Sequence, residues 1–130
     1  MKKLPRSQRN RLQVYQDIHD IERRLLVDKY SINDIIHLKR FAKEGYPLAM
    51  INLAMCYISG IGVSQDDETA IELLYLARES ASGYEYYLIG IYLMHYSAIP
   101  HYYHEALSCL HKSVELGFTD ALNVLEMYSS

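Results

Sequence analysis

The chain has 130 residues, half of them hydrophobic and 22% charged, with a formal net charge of −3. This composition excludes wholesale disorder and suits one compact domain with a buried core. Pro5, Arg6 and Arg9 stand where a signal peptide needs about 7–15 apolar residues. No run approaches the ~18 apolar residues of a membrane span, so a cytosolic chain without membrane contact is expected.

Leu12, Tyr15, Ile18, Ile21, Leu25 and Leu26 step by three and four, which predicts an amphipathic helix over roughly 8–28. Ser31 or Asn33 can cap a second helix through Ile35, Ile36, Leu38, Phe41 and Ala42, and Gly45 ends it. Pro47 fits the first turn of a third, which runs to about Ser59 through Ala49, Leu53, Ala54 and Tyr57. Gly60-Ile-Gly62-Val-Ser-Gln reads as a loop. Asp66 or Asp67 then opens a fourth helix through Ala70, Leu73, Leu74 and Ala77. A fifth is predicted over roughly 84–96, with a break at Pro100. A sixth follows over about 102–116, closed by Gly117, and a seventh over about 119–128. No stretch alternates with period two, so no sheet is expected.

These helices repeat. Leu53, Ile89 and Leu125 are spaced by 36 residues, as are the pairs Ala70/Ala106, Ile71/Leu107, Leu74/Leu110 and Ala54/Gly90. Ile35 and Leu38 carry the register back one copy. A helix pair cannot bury its own apolar face and must stack on its neighbours. The expected fold is therefore all-α, a right-handed α-solenoid of antiparallel helix pairs with about seven helices. A single domain over 1–130 would hold a degenerate basic pair at 1–44, the clearest repeat at 45–81, a looser one at 82–117 and a closing helix at 118–130.

The clearest repeat carries Gly45, Ala49, Leu53-Ala54, Tyr57, Gly60-Ile-Gly62-Val63, Asp66 and Ala70. This pattern resembles the Sel-one-like repeat, a short-solenoid relative of the tetratricopeptide repeats. Ala54 replaces the family's usual Gly, and Thr69 its usual Lys. Gly117, Ala121 and Leu125 agree in the last copy. In the third, Tyr96, Ala98 and Tyr102 stand in for Gly60, Gly62 and Asp66, so its turn must be built differently. The resemblance implies a curved stack of helix pairs used as an adaptor or scaffold, in bacteria often for signalling, secretion or host interaction. Some small bacterial members look like immunity proteins that neutralise a toxin.

No constellation in the chain argues for catalysis. Gly60-Ile-Gly62 lacks the third glycine, preceding strand and lysine of a phosphate loop, and a tight inter-helix turn explains it better. His95, His101, His104 and His111 have metal-ligand chemistry, with His95 or Glu105 as a fourth zinc ligand. Solvated or interfacial imidazoles are the plainer reading, so no metal and no cofactor are expected. Cys56 and Cys109 are far apart inside apolar patterns and read as buried free thiols. No Ser/His/Asp or Cys/His arrangement has a motif context. Arg6, Arg9 and Arg11 are not interleaved with aromatics, which disfavours nucleic acid.

The sequence points instead to a protein partner. Seven of its 13 tyrosines fall within 84–103, and tyrosine combines large contact area with a polar tip. If Ala49, Leu53, Ala54 and Tyr57 form the buried stripe, a rotation of ~100° per residue puts Ile51, Asn52, Met55 and Ile58 opposite. Tyr87, Leu88, Ile91, Met94 and His95 follow in the next copy. Such apolar residues either pack beneath the N-terminal helix or form a contact patch. In the second case Met55, Tyr87 and Ile91, with Ile51 beside them, are the anchors, and Tyr84 and His95 form the rim. Asp66, Asp67 and Glu68 complement the helix dipole, or edge a surface for a basic partner.

Charge is divided sharply along the chain. Residues 1–43 hold 11 Lys and Arg against 5 acids, whereas 44–130 hold 2 against 11. Such a chain can steer a basic protein to its acidic part, or stack head to tail as a homo-oligomer. A small-molecule substrate is not expected. The minor alternative, an enzyme built on the histidine-rich region, offers no substrate to test.

Overall fold

The computed structural model describes residues 6–128, with side chains from residue 10 onward. Lys2, Lys3, Pro5 and the side chains of Arg6 and Arg9 lie outside the described residues, together with the expectations placed on them. Among the described residues there are seven α-helices and no strand. They are α1 (Arg6–Leu26), α2 (Ile32–Lys43), α3 (Pro47–Ser59), α4 (Asp67–Arg78), α5 (Gly83–Leu93), α6 (Pro100–Glu115) and α7 (Ala121–Met127).

Local chemistry sets most of the helix ends. Ser31 is the N-cap of α2, and its backbone N–H donates to Asp34 Oδ2 at 3.1 Å. Pro47 starts α3, where a missing N–H costs nothing. Gly60 closes that helix in the left-handed conformation at φ +69. Asp66 caps α4 by accepting from the Thr69 N–H at 3.1 Å. Ser82 and Glu85 form a reciprocal capping box on α5.

Two boundaries depart from the sequence-based expectation. The fifth helix stops at Leu93, and Met94–Tyr96 tighten into a 3-10 turn. Pro100 does not break the chain ahead of the sixth helix but occupies its first turn. The ring fixes a helical φ, and the N–H it lacks would be unpaired there anyway.

Each helix packs on the one before it and the one after it, and α1, α3 and α5 also touch in series. Leu38, Leu74 and Leu110 share one register position, and each is fully buried. One part of the core joins Ile18, Ile21 and Leu25 of α1 to Ile35, Leu38 and Phe41 of α2 and to Leu48 and Leu53 of α3. The other joins Ile51 and Ala54 of α3 to Ala70 and Leu74 of α4, Ile89 of α5 and Ala106 of α6. The two meet on α3, which is therefore buried almost all round.

That position corrects the reading of Ile51. It is 0% exposed, inside the second part of the core, and cannot anchor a partner. Asn52, placed on the same outward side by sequence, is 1% exposed. A helix enclosed between α2 on one side and α4 and α5 on the other has no single buried stripe, so the rotation argument does not hold for it. Among the described residues, no helix is long and apolar enough to cross a membrane.

Candidate protein-binding surface

α5 differs from its neighbours. Its sequence, Gly-Tyr-Glu-Tyr-Tyr-Leu-Ile-Gly-Ile-Tyr-Leu, is apolar around the whole helix, yet only Glu85, Ile89, Gly90 and Leu93 are buried. Tyr84, Tyr86, Tyr87, Leu88, Ile91 and Tyr92 are all half-buried. An outward helix face is normally polar, so this much half-covered aromatic and aliphatic surface is unusual.

The aromatic rings are ordered in a series. His19 of α1 lies against Tyr84 at 6.3 Å between centroids. Tyr84 meets Phe118 edge-on at 5.5 Å, and Tyr87 packs tilted against the same ring at 5.0 Å. The turn between α6 and α7, which carries Phe118, thus reaches back to α5. Such ring contacts are worth about 0.5–1.5 kcal/mol each beyond the area they bury, and they hold the tyrosines in fixed orientations.

A polar group lies at one end of this series. Glu22 of α1 accepts from Asn52 Nδ2 at 3.0 Å and from the Tyr84 hydroxyl at 3.3 Å. Asn52 meets Oε2, whereas the Tyr84 hydroxyl shares Oε1 with His19 Nδ1, which lies 3.4 Å away. Asn52 also donates to the Leu48 carbonyl at 3.0 Å, so its amide is well satisfied despite burial. Burial first, and the Glu22 charge second, push the phenols of Tyr84 and Tyr92 up to about 12, and both stay protonated at neutral pH.

The residues named from the sequence fall in two places. Met55 is half-buried against the first part of the core, which includes α1 residues. Tyr84, expected at the rim, instead bridges α1, α5 and Phe118. Tyr87 and Ile91 are partly exposed on α5, and His95 is exposed in the 3-10 turn with its ring against Tyr96 at 4.9 Å. Asp66, Asp67 and Glu68 are exposed at the start of α4. There Asp66 is engaged by Thr69, whose hydroxyl and N–H hold its carboxyl below the ordinary value. Asp67 accepts the Tyr96 hydroxyl at 2.7 Å. Asp67 and Glu68 line a cleft of about 490 Å³ with Ile71, Tyr96, Ile99 and Tyr102. It shares no lining residue with the Glu22 group.

Sequence reasoning gave Glu22, Tyr92 and Phe118 no role and put Asn52 on an outward face, although it is buried. A signal was present for two of them. Glu22 stands on the stripe Ile18, Ile21, Leu25, where a carboxylate is out of place. Asn52 is the one amide in an otherwise apolar helix segment from Pro47 to Ile58. The histidines do not converge: His101 Nε2 is 3.3 Å from the Tyr75 hydroxyl, while His111 lines a groove between α6 and α7. Among the described residues, no group of three or more His, Cys, Asp or Glu could hold a metal. Cys56 and Cys109 are free and buried.

Helix pairs that stack in series, with a half-open aromatic face on one helix, define a helical-repeat protein. This chain belongs to the Sel1 repeat family, whose model matches residues 47–82 and 85–118. Sel1 repeats are helical solenoids that generally serve as protein–protein interaction modules, in a family that is typically non-enzymatic. α1 and α2 lie outside the matched residues but pack in the same stack. No curated protein and no solved structure matches the chain.

Proposed function

We propose that this protein is a non-enzymatic adaptor whose α5 face, with Met55, Tyr84, Tyr87, Ile91 and His95, grips a helix or loop of a partner protein. The observation that carries this reading is the half-burial of an apolar helix. α5 leaves Tyr84, Tyr87, Leu88, Ile91 and Tyr92 partly open to solvent, while ring contacts with Phe118 hold Tyr84 and Tyr87 in place. Rigid aromatic anchors in a partly desolvated setting are the usual source of binding energy at interfaces.

The test is capture of a partner from native lysate by the wild-type chain and by the Tyr87→Ser/Ile91→Ser double variant. Neither residue is fully buried, so the variant keeps its helical circular dichroism and binds the captured partner at least about a hundredfold more weakly. Equal capture by a folded variant would remove this face from consideration. One specific form of the reading is a cytosolic bacterial immunity protein that blocks a basic toxin with the acidic residues of 44–130, among them Asp66, Asp67 and Glu68. Its affinity would fall steeply with salt, and a flat salt dependence counts against that form.

A second reading is head-to-tail self-assembly. The groove between α6 and α7, about 400 Å³ and lined by Leu107, Val114, Leu122 and Leu125 with Glu115 and Glu126, favours it. The basic α1–α2 region leaves Leu26, Val27, Ile32 and Ile36 exposed to complement such a groove. A monomer by light scattering at high concentration and low salt would dispose of this alternative.

A further inference from the structure

Two acids among the described residues, Asp34 and Glu85, are buried and compensated, and a third, Glu22, is largely covered. Asp34, whose side chain is 7% exposed, is gripped by Arg24 at 2.9 and 2.7 Å. Glu85 accepts the Ser82 N–H at 2.8 Å at the start of α5, where the helix dipole favours a negative charge. Glu22 is the third, with a side chain 16% exposed. It stands in the last third of α1, where the dipole offers a carboxylate nothing.

Its arginine neighbours do not neutralise it either. Arg23 pairs with Asp20, and Arg24 pairs with Asp34. Among the described residues, no Lys or Arg nitrogen comes within 4.0 Å of Glu22. What it has is an amide, a phenol at 3.3 Å and an imidazole at 3.4 Å. A carboxylate accepts about four hydrogen bonds, and two of these three are long. The His19 side chain is 45% exposed, so it can move aside.

The surroundings suit a cation. Tyr84 stands beside the carboxylate, and the ring series continues through Phe118 to Tyr87. Aromatic faces attract ammonium and guanidinium groups, the more so when partly desolvated. A bond in which donor and acceptor are both charged is stronger than those the uncharged Asn52 amide and Tyr84 phenol give this carboxylate.

We propose that Glu22 is the receptor for a basic side chain, an arginine or a lysine, which the partner protein inserts between α1 and the tyrosines of α5. This rests on the reading of the α5 face as the partner-binding surface, and it names the chemistry that face selects.

The experiment uses the full chain with labelled tyrosine and glutamate, followed by NMR. The probes are N-acetyl-arginine methylamide and N-acetyl-lysine methylamide, with N-acetyl-citrulline methylamide as the uncharged isostere of the first. The cationic probes are expected to shift the Glu22 carboxyl and the Tyr84 ring saturably at millimolar concentration. The citrulline probe is expected to bind at least about tenfold more weakly. Glu22→Gln keeps an acceptor for Asn52 and Tyr84, so the fold persists while the cation response disappears. An equal response to citrulline, an equal response in the Gln variant, or no saturable shift with either cation overturns the proposal. Failure here together with loss of partner capture by the Tyr87/Ile91 variant leaves the adaptor reading standing without this specificity. A positive response here with undiminished capture by that variant overturns the adaptor surface instead.

Discussion

A methyl group built on Gly90 would lie 2.8 Å from Leu110 Cγ and 3.1 Å from the Ala106 carbonyl oxygen. α5 and α6 approach backbone to side chain at this point, and both Leu110 and Ala106 are fully buried. Gly90→Ala gains up to about 1 kcal/mol of helix propensity. It loses about 1–3 kcal/mol to overpacking, because Ala106 contributes backbone, which cannot rotate away. A net loss with a melting temperature lower by several degrees is expected in thermal unfolding. A variant as stable as the parent would show that the contact yields.

The two glycines of the α3–α4 loop are expected to differ. Both have φ +69, so each alanine variant carries the strain of the left-handed conformation, about 1 kcal/mol. Around Gly60 an added Cβ meets only ordinary contacts, the nearest at 3.7 Å. At Gly62 it would stand 2.6 Å from Ile35 Cγ1, and Ile35 is 1% exposed in the core. Gly62→Ala is therefore expected to cost clearly more than Gly60→Ala in urea denaturation, and equal costs would mean that Ile35 repacks freely.

Asp34 ties stability to acid pH. Its carboxyl is held below the ordinary value chiefly by the Arg24 guanidinium, with the Ser31 N–H helping and burial opposing. A depressed folded value means that the stabilisation is complete above the unfolded pKa near 3.9 and is lost as pH falls through the folded value. Asp34→Asn is expected to cost about 1.5–3 kcal/mol at neutral pH. The gap to wild type then narrows only in strongly acid solution. Denaturant curves across that range check it, and a gap that closes already above pH ~5 contradicts the assignment.

The two cysteines are expected to be inert in the folded chain. Burial pushes both thiols up to about 11, so little thiolate forms at neutral or mildly alkaline pH. Iodoacetamide should leave the native protein unmodified and alkylate both residues after unfolding, as read by mass spectrometry. Rapid native labelling of either one would expose a local opening of α3 or α6.

Asn52 links the α3 core to Glu22 across 30 residues of sequence. Asn52→Ala removes its bonds to Glu22 and to the Leu48 carbonyl, and is expected to cost about 1–3 kcal/mol. Combined with Glu22→Gln, the two changes should be less than additive in a double-mutant cycle. Strict additivity would mean that the two side chains do not act together.

Much of the architecture was legible from residue order, because its causes are local. Apolar residues three and four apart make a helix wherever they occur. Ser31, Pro47, Gly60 and Asp66 set boundaries through bonds or dihedral angles within a few residues of themselves. The spacing of Leu38, Leu74 and Leu110 required one burial at all three positions, and the stack provides it. The apolar breadth of α5, and Tyr87 and Ile91 upon it, could also be seen in the sequence. Only the tertiary structure decided which faces stay open. Ile51 looks like an outward residue on a helical projection, but α4 and α5 close over that side. Glu22 meets Asn52 and Tyr84 across separations of 30 and 62 residues, and Phe118 reaches Tyr84 and Tyr87 from the next turn along the stack. Periodicity states that a helix has an apolar face. How many neighbours share that face depends on where the helix sits in the stack, which no window of local sequence contains.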